Sequence, residues 1–174
     1  MNFSRGFTRS FFIVLAVSLT CFGLPRHIEF VTHTTLPEKI ESSNKNTFIF
    51  DPNNLQWAVY NQKGERVGIG KGVGGKDFCP DINRPCRTIE GTYAVYRIEN
   101  EDCTSKTFPI GEGGGAPMPH CMFFHKGYAI HGSNLLPDEN ASHGCIRVTK
   151  PAAQWMNENY LKPGALVKVL PYRT

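Results

Sequence analysis

An odd number of cysteines beyond residue 24 constrains this chain more than any other feature. Cys79, Cys86, Cys103, Cys121 and Cys145 follow the first two dozen residues, where Cys21 stands alone. In an exported chain, five such residues imply two crosslinks and one sulfur left over. Four partners allow three connectivities. Cys79–Cys86 is favoured as a local clasp and Cys103–Cys121 as a closure of the glycine-rich stretch between them. The leftover is then Cys145, which lies in Ser142-His143-Gly144-Cys145-Ile146-Arg147. A second histidine, His131, lies upstream in Ala129-Ile130-His131-Gly132-Ser133. A thiol and two imidazoles among small residues are the parts of a cysteine nucleophile, because the thiolate is the attacking form and needs a base or a positive field. Glycine at 144 lets backbone amides approach a reacting oxygen.

The export assumption rests on the N-terminus. Arg5 and Arg9 precede an apolar run at 11–19, and Cys21-Phe22-Gly23 offers a small-any-small exit. That is the layout of an export signal over 1–24, cleaved or retained as a membrane anchor. The run is short of the roughly 20 apolar residues a spanning helix needs. Without those two arginines the net charge falls from +4 to +2. Nothing in so balanced a chain resembles a basic arm, so nucleic acid is not an expected partner. The expected location is the periplasm, with tethering to the inner membrane through 1–24 if the signal stays.

Residues 25–46 are polar and irregular and read as a linker, so the domain is expected at 47–174. Phe48-Ile49-Phe50, 56–60 and 65–69 read as strands, the last two forming a hairpin around Asn61-Gln62-Lys63-Gly64. The alternation at 92–98 predicts one further strand. Residues 121–124 and 128–131 predict a pair around His125-Lys126-Gly127. Two long loops, 70–87 and 99–119, separate these pieces. Loops of that length are often binding elements. Thr149 and Pro151 predict the start of a helix whose apolar face is Ala152, Trp155, Met156 and Tyr160. Pro163-Gly164 stops it, and 165–170 closes the chain as a strand. The expected class is mainly β, with one or two short helices.

Ile130-His131-Gly132-Ser133 followed by Ser142-His143-Gly144-Cys145-Ile146-Arg147 resembles the signature of the L,D-transpeptidase catalytic domain of YkuD type. Thr88-Ile89-Glu90-Gly91-Thr92-Tyr93, the segment from Pro117-Met118-Pro119 to Phe124, and the tail at 163–170 resemble further parts of that family. The likeness spans about residues 47–171. Ile89 stands where the family usually has proline, and the ten residues between His131 and Ser142 are a short spacing for the group.

The resemblance implies a YkuD-like β-sandwich or mixed β domain and a set of roles. Cys145 would be the nucleophile and His131 its base, with the Gly132 carbonyl orienting the ring. His143, Gly144 and Cys145 would surround an oxyanion hole. Arg147 would grip a carboxylate, and Ser133, Ser142, Tyr128 and Phe124 would line the pocket. The implied substrates are peptidoglycan tetrapeptide stems as acyl donor and an amine as acceptor. Terminal D-alanine would be released through a thioester. Water at the same site would make a carboxypeptidase. Carbapenem β-lactams would be inhibitors. No cofactor and no metal is implied. Two rival classes are a zinc module drawing on His120, Cys121, His125, His131, His143 and Cys145, whose spacing follows no finger pattern, and a wall-binding module without catalysis.

Overall fold

The computed structural model describes residues 36–173. The expected export signal, Cys21 and the first part of the expected linker lie outside those residues. Among the described residues, no helix is long and apolar enough to cross a membrane.

The chain builds two sheets. The first runs β3-β2-β1-β9-β4. Its strands are β1 (Thr47–Asp51), β2 (Gln56–Tyr60), β3 (Arg66–Lys71), β4 (Gly91–Ala94) and β9 (Leu166–Val169). The second runs β5-β6-β7-β8, from β5 (Arg97–Ile98), β6 (Met122–His125), β7 (Tyr128–Gly132) and β8 (Ile146–Val148). One helix, α1 (Lys150–Asn159), links β8 to β9. The mainly β class with a short helix is as expected.

Alternation along β1 shows how the core forms. Phe48 and Phe50 point between the layers, where they join Val167 and Val169 of β9, Met122 and Phe124 of β6, Ile130 of β7 and Ile146 and Val148 of β8. Ile49 points the other way, yet it too is buried, against Leu36, Ala58 and Tyr60. The cover on that outer face comes from residues 36–46, expected as the end of a linker. Tyr60 donates its hydroxyl to the Pro37 carbonyl at 2.7 Å, and Ile40 donates its amide to Gly64 at 2.8 Å. Packing therefore extends N-terminal of Thr47. A strand buried on both faces needs such a cover, because leaving Ile49 and Tyr60 wet would forfeit about 1.5–3 kcal/mol per large side chain.

The strand expected at 92–98 is two strands in different sheets. β4 pairs with β9, and β5 pairs with β6. Between them Val95 donates to the Ala165 carbonyl and Tyr96 to the Phe123 carbonyl, so the backbone changes partners within two residues. Alternation persists through such a corner, which is why periodicity reads it as one piece.

The helix begins where its cap predicts. The Thr149 hydroxyl accepts the Ala152 amide at 3.3 Å, with Pro151 in the first turn. Its buried residues are Ala153, Met156 and Asn157, while Ala152, Trp155 and Tyr160 are half-buried against the same core. The face is thus turned slightly from the expected one. Asn157 is tolerated inside because its amide donates to the Glu99 carbonyl at 3.0 Å.

Candidate active site

The segment 142–148 alternates strictly between buried and half-exposed residues. Ser142, Gly144, Ile146 and Val148 point in; His143, Cys145 and Arg147 share the open face. The segment is held from both sides. β8 pairs in parallel with β7, Ile130 opposite Ile146 and His131 opposite Arg147. On the other side Val73 and Arg147 exchange two backbone hydrogen bonds, 2.9 and 2.8 Å, and Ser142 donates to the Gly74 carbonyl at 2.9 Å. The loop at 70–87 thus works as an extra edge that clamps the nucleophile segment. By the same register Cys145 stands beside Ala129, and His131 lies two residues further along, about 7 Å on.

Gly144 has φ +122, a conformation that L side chains rarely adopt. A Cβ there would stand 2.7 Å from Tyr128 Cε1, so the Tyr128 ring lies directly on the Gly144 backbone. This turn sends the Gly144 amide inward, where it donates to Ser142 Oγ at 3.0 Å. Ser142 Oγ in turn donates to the Cys145 carbonyl at 2.5 Å. Two expectations change as a result. Gly144 N–H is already used and is not an oxyanion donor, and Ser142 is an internal staple rather than pocket lining. The His143 and Cys145 amides on either side have no partner among the described residues.

His131 is buried, and its Nδ1 lies 3.0 Å from the Gly132 carbonyl. A carbonyl only accepts, so Nδ1 carries the hydrogen and Nε2 keeps its lone pair. Gly132 brings that carbonyl close because its backbone is tightly flanked. A Cβ there would be 2.9 Å from Lys150 Cα and 3.2 Å from Pro119 Cγ. Burial lowers the His131 pKa to about 4; the Gly132 hydrogen bond opposes this and the Arg147 charge adds to it. The ring is neutral at rest.

Cys145 is the free cysteine among the described residues and is half-buried. Its sulfur lies 3.8 Å from the Gly127 carbonyl and packs on a small cluster of Cys103, Met118, Cys121, Phe123 and Ala129. Burial pushes the thiol pKa up, and a backbone hydrogen bond at Ala129 and the Arg147 guanidinium pull it only partly back. Both shifts favour the neutral pair of thiol and imidazole over thiolate and imidazolium. Arg147 is half-buried, its pKa lowered by burial with Cys145 opposing, and it forms no ion pair among the described residues. Guanidinium holds its proton even so. The site thus presents an uncompensated cation beside a neutral nucleophile.

His143 is gripped from both long loops. Its Nε2 donates to Asp81 at 2.7 Å, and its ring centroid lies 4.3 Å from that of Phe108. Asp81 lies within the Cys79–Cys86 loop, and Phe108 within the loop closed by Cys103–Cys121. Both crosslinks are the favoured pairs. Loss of hydration raises the Asp81 pKa, but the His143 hydrogen bond, with Lys76 nearby, holds it below the usual carboxylate range. Sequence reasoning missed Asp81 and Phe108. The only signals were an acid inside a short crosslinked loop and a large aromatic in a run otherwise polar and glycine-rich.

The remaining expected site residues separate. Tyr128 floors the nucleophile loop. Phe124 belongs to the main core, its ring near those of Tyr128 and Tyr93, and does not line the pocket. Ser133 follows β7 at the end away from Cys145, about 13 Å along the strand. Its hydroxyl accepts the Leu135 amide at 3.0 Å in a local turn. Two groups of potential metal ligands occur among the described residues, Cys79, Asp81 and His143, and Glu99, Cys103 and Cys121. Each draws on disulfide sulfurs, which offer no thiolate to a metal. Cys121 is likewise lost to the zinc set weighed from sequence.

Known proteins share this fold. The family model of the YkuD L,D-transpeptidase catalytic domain matches residues 40–169. No curated protein sequence matches the chain. Among solved structures, the L,D-transpeptidase (residues 123–326) of Xylanimonas cellulosilytica DSM 15894 is 25% identical with a TM-score of 0.65, covering 77% of this chain and 64% of that one. The L,D-transpeptidase of Mycobacterium smegmatis is 21% identical with a TM-score of 0.60, covering 73% and 59%. L,D-transpeptidase 3 of Mycobacterium tuberculosis, solved with a faropenem-derived adduct, is 19% identical with a TM-score of 0.60, covering 72% and 60%. The chain spans about three fifths of the length of these solved relatives. With the family model covering most of its length, the chain belongs to the YkuD family of L,D-transpeptidase catalytic domains.

Proposed function

We propose that this chain is an exported, cysteine-dependent L,D-transpeptidase that acts on peptidoglycan stem peptides. The observation that carries the reading is the open face shared by His143, Cys145 and Arg147, with the free Nε2 of a buried His131 on the neighbouring strand. Two disulfides favour an oxidising compartment. With the apolar N-terminal run they support export to the periplasm, with or without a retained anchor.

The chemistry begins from neutral partners. His131 Nε2 takes the Cys145 proton as the sulfur attacks the carbonyl before the terminal D-alanine. Separating the charges without substrate is uphill. Burial holds the thiol above its ordinary range and the imidazole down near 4, and both shifts oppose the ion pair. Proton transfer is therefore coupled to attack rather than complete beforehand. The growing oxyanion faces the unpartnered His143 and Cys145 amides. Losing one such donor typically costs about 3–4 kcal/mol of barrier. Arg147, with no carboxylate partner among the described residues, would hold one from the stem peptide.

Collapse of the adduct passes the proton from His131 to the leaving amine, so D-alanine departs and a thioester remains on Cys145. An acceptor amine attacks that thioester, gives its proton to Nε2, and the thiol is restored. Water in the amine's place would give the trimmed stem. The faropenem-derived adduct on L,D-transpeptidase 3, and a related L,D-transpeptidase solved with the carbapenem imipenem, support β-lactams as inhibitors here. Incubation with purified tetrapeptide muropeptides, followed by mass spectrometry, tests the reading. Loss of D-alanine with formation of a dimer is expected, a trimmed monomer alone would make it a hydrolase, and unchanged substrate would contradict both.

A further inference from the structure

We propose that Asp81 is a positioning residue for acylation, acting through the His143 side chain on the amides that flank Gly144. The proposal rests on the reading of Cys145 as nucleophile.

The backbone from 142 to 147 is tied down nearly everywhere. Ser142 is fixed through its amide, carbonyl and hydroxyl, Gly144 through its amide, and Arg147 through its amide and carbonyl. Among the described residues the His143 amide has no partner, and neither has that of Cys145. These are the two donors available to an oxyanion. The Ser142 carbonyl, which shares a rigid peptide plane with the His143 amide, is held by Lys76. The His143 side chain is the further anchor that sets how the chain turns from that plane into Gly144 and the Cys145 amide. That ring is held at one edge by Asp81, 2.7 Å from Nε2, and on one face by Phe108.

Asp81 is well placed to be a firm anchor. It rides on the Cys79–Cys86 loop, which Cys79 and Arg84 close with a backbone bridge. The loop is rooted in the nucleophile segment itself, because Lys76 donates to the Ser142 carbonyl at 3.1 Å and Cys86 Sγ lies 3.7 Å from that oxygen. Asp81 and the carbonyl beneath His143 thus belong to one crosslinked unit. Asp81 is also half-exposed, and a pair this accessible contributes little to stability. A structural role and a positioning role therefore predict different results on substitution.

The test is acylation of the full chain by meropenem, followed by stopped-flow absorbance and intact mass, for wild type, D81A and D81N. The D81A acylation rate constant at saturating drug should fall by about tenfold, a fraction of what losing a donor outright costs. The half-saturating concentration should stay within about twofold and the thermal midpoint should not move. D81N keeps a side-chain oxygen for Nε2–H and should stay within about threefold of wild type. D81A acylating at the wild-type rate would overturn the inference alone, as would D81N as slow as D81A. A D81A loss of rate accompanied by weaker half-saturation and a lower midpoint would overturn it too, by showing a collapsed site. Wild type that takes no acyl group, or C145A that takes one, would instead overturn the nucleophile reading and this inference with it.

Discussion

The Tyr128 ring packs against the backbone of Gly144, with its Cε1 only 2.7 Å from where a Cβ would stand. Gly144 also holds φ +122. Gly144→Ala therefore meets both a ring and a disfavoured backbone conformation, a strain of about 1–3 kcal/mol. Relief requires the 142–145 turn to shift, which would move both unpartnered amides. The variant should lower the unfolding midpoint in a denaturant melt and slow acylation by at least tenfold. A G144A protein with wild-type acylation would show that the turn does not position those donors.

His131 makes stability depend on pH. Its folded pKa is about 4, against an ordinary 6.5, with burial as the main cause. Between those values the unfolded chain binds more protons, so stability falls as pH drops from 6.5 towards 4 and this contribution is exhausted below 4. The full span is about 3 kcal/mol. Urea melts at pH 7, 5.5 and 4.5 should show the decline, and His131→Asn should flatten it. Acylation should hold down to about pH 4 and then fall tenfold per unit, because a protonated Nε2 accepts nothing.

Burial that pushes the Cys145 thiol up makes it a slow target for simple alkylation. The iodoacetamide rate should climb about tenfold per pH unit through neutrality with no plateau below pH 9, since the thiolate is the reacting form. Arg147→Ala removes a charge that favours the thiolate, so alkylation at pH 8 should slow further. A plateau near pH 6 would reveal a preformed ion pair with His131 instead.

The two crosslinks close loops of different length, with sequence separations of 7 and 18. Loop-closure entropy gives each about 2–3 kcal/mol. C79S/C86S should lose that stability and also slow acylation, because it frees the loop that carries Asp81. C103S/C121S should lose slightly more stability, and a chemical melt with meropenem kinetics on both double variants would separate the effects.

Much of this site was legible before any coordinates. Cysteine parity isolated Cys145, and the run around it singled out His131 and Arg147. Local strands and the helix cap were readable because they depend on near neighbours. What was hidden depends on chain segments far apart in sequence. The corner between β4 and β5 keeps its alternation while changing sheets. The cover of residues 36–46 over Ile49 has a polar sequence that looks like a linker. The resemblance implies Phe124 in the pocket, yet the pleat turns it into the core. Asp81 and Phe108 carry only faint local signals, since their importance lies in meeting at His143.

The central claim is that the sulfur of Cys145 becomes acylated. Meropenem incubated with the full chain, followed by intact mass and peptide mapping, tests it most directly. The account predicts one adduct, located on Cys145 and absent from Cys145→Ala, with both disulfides still closed. An adduct that survives on Cys145→Ala, or Cys145 found crosslinked to another cysteine, would contradict it.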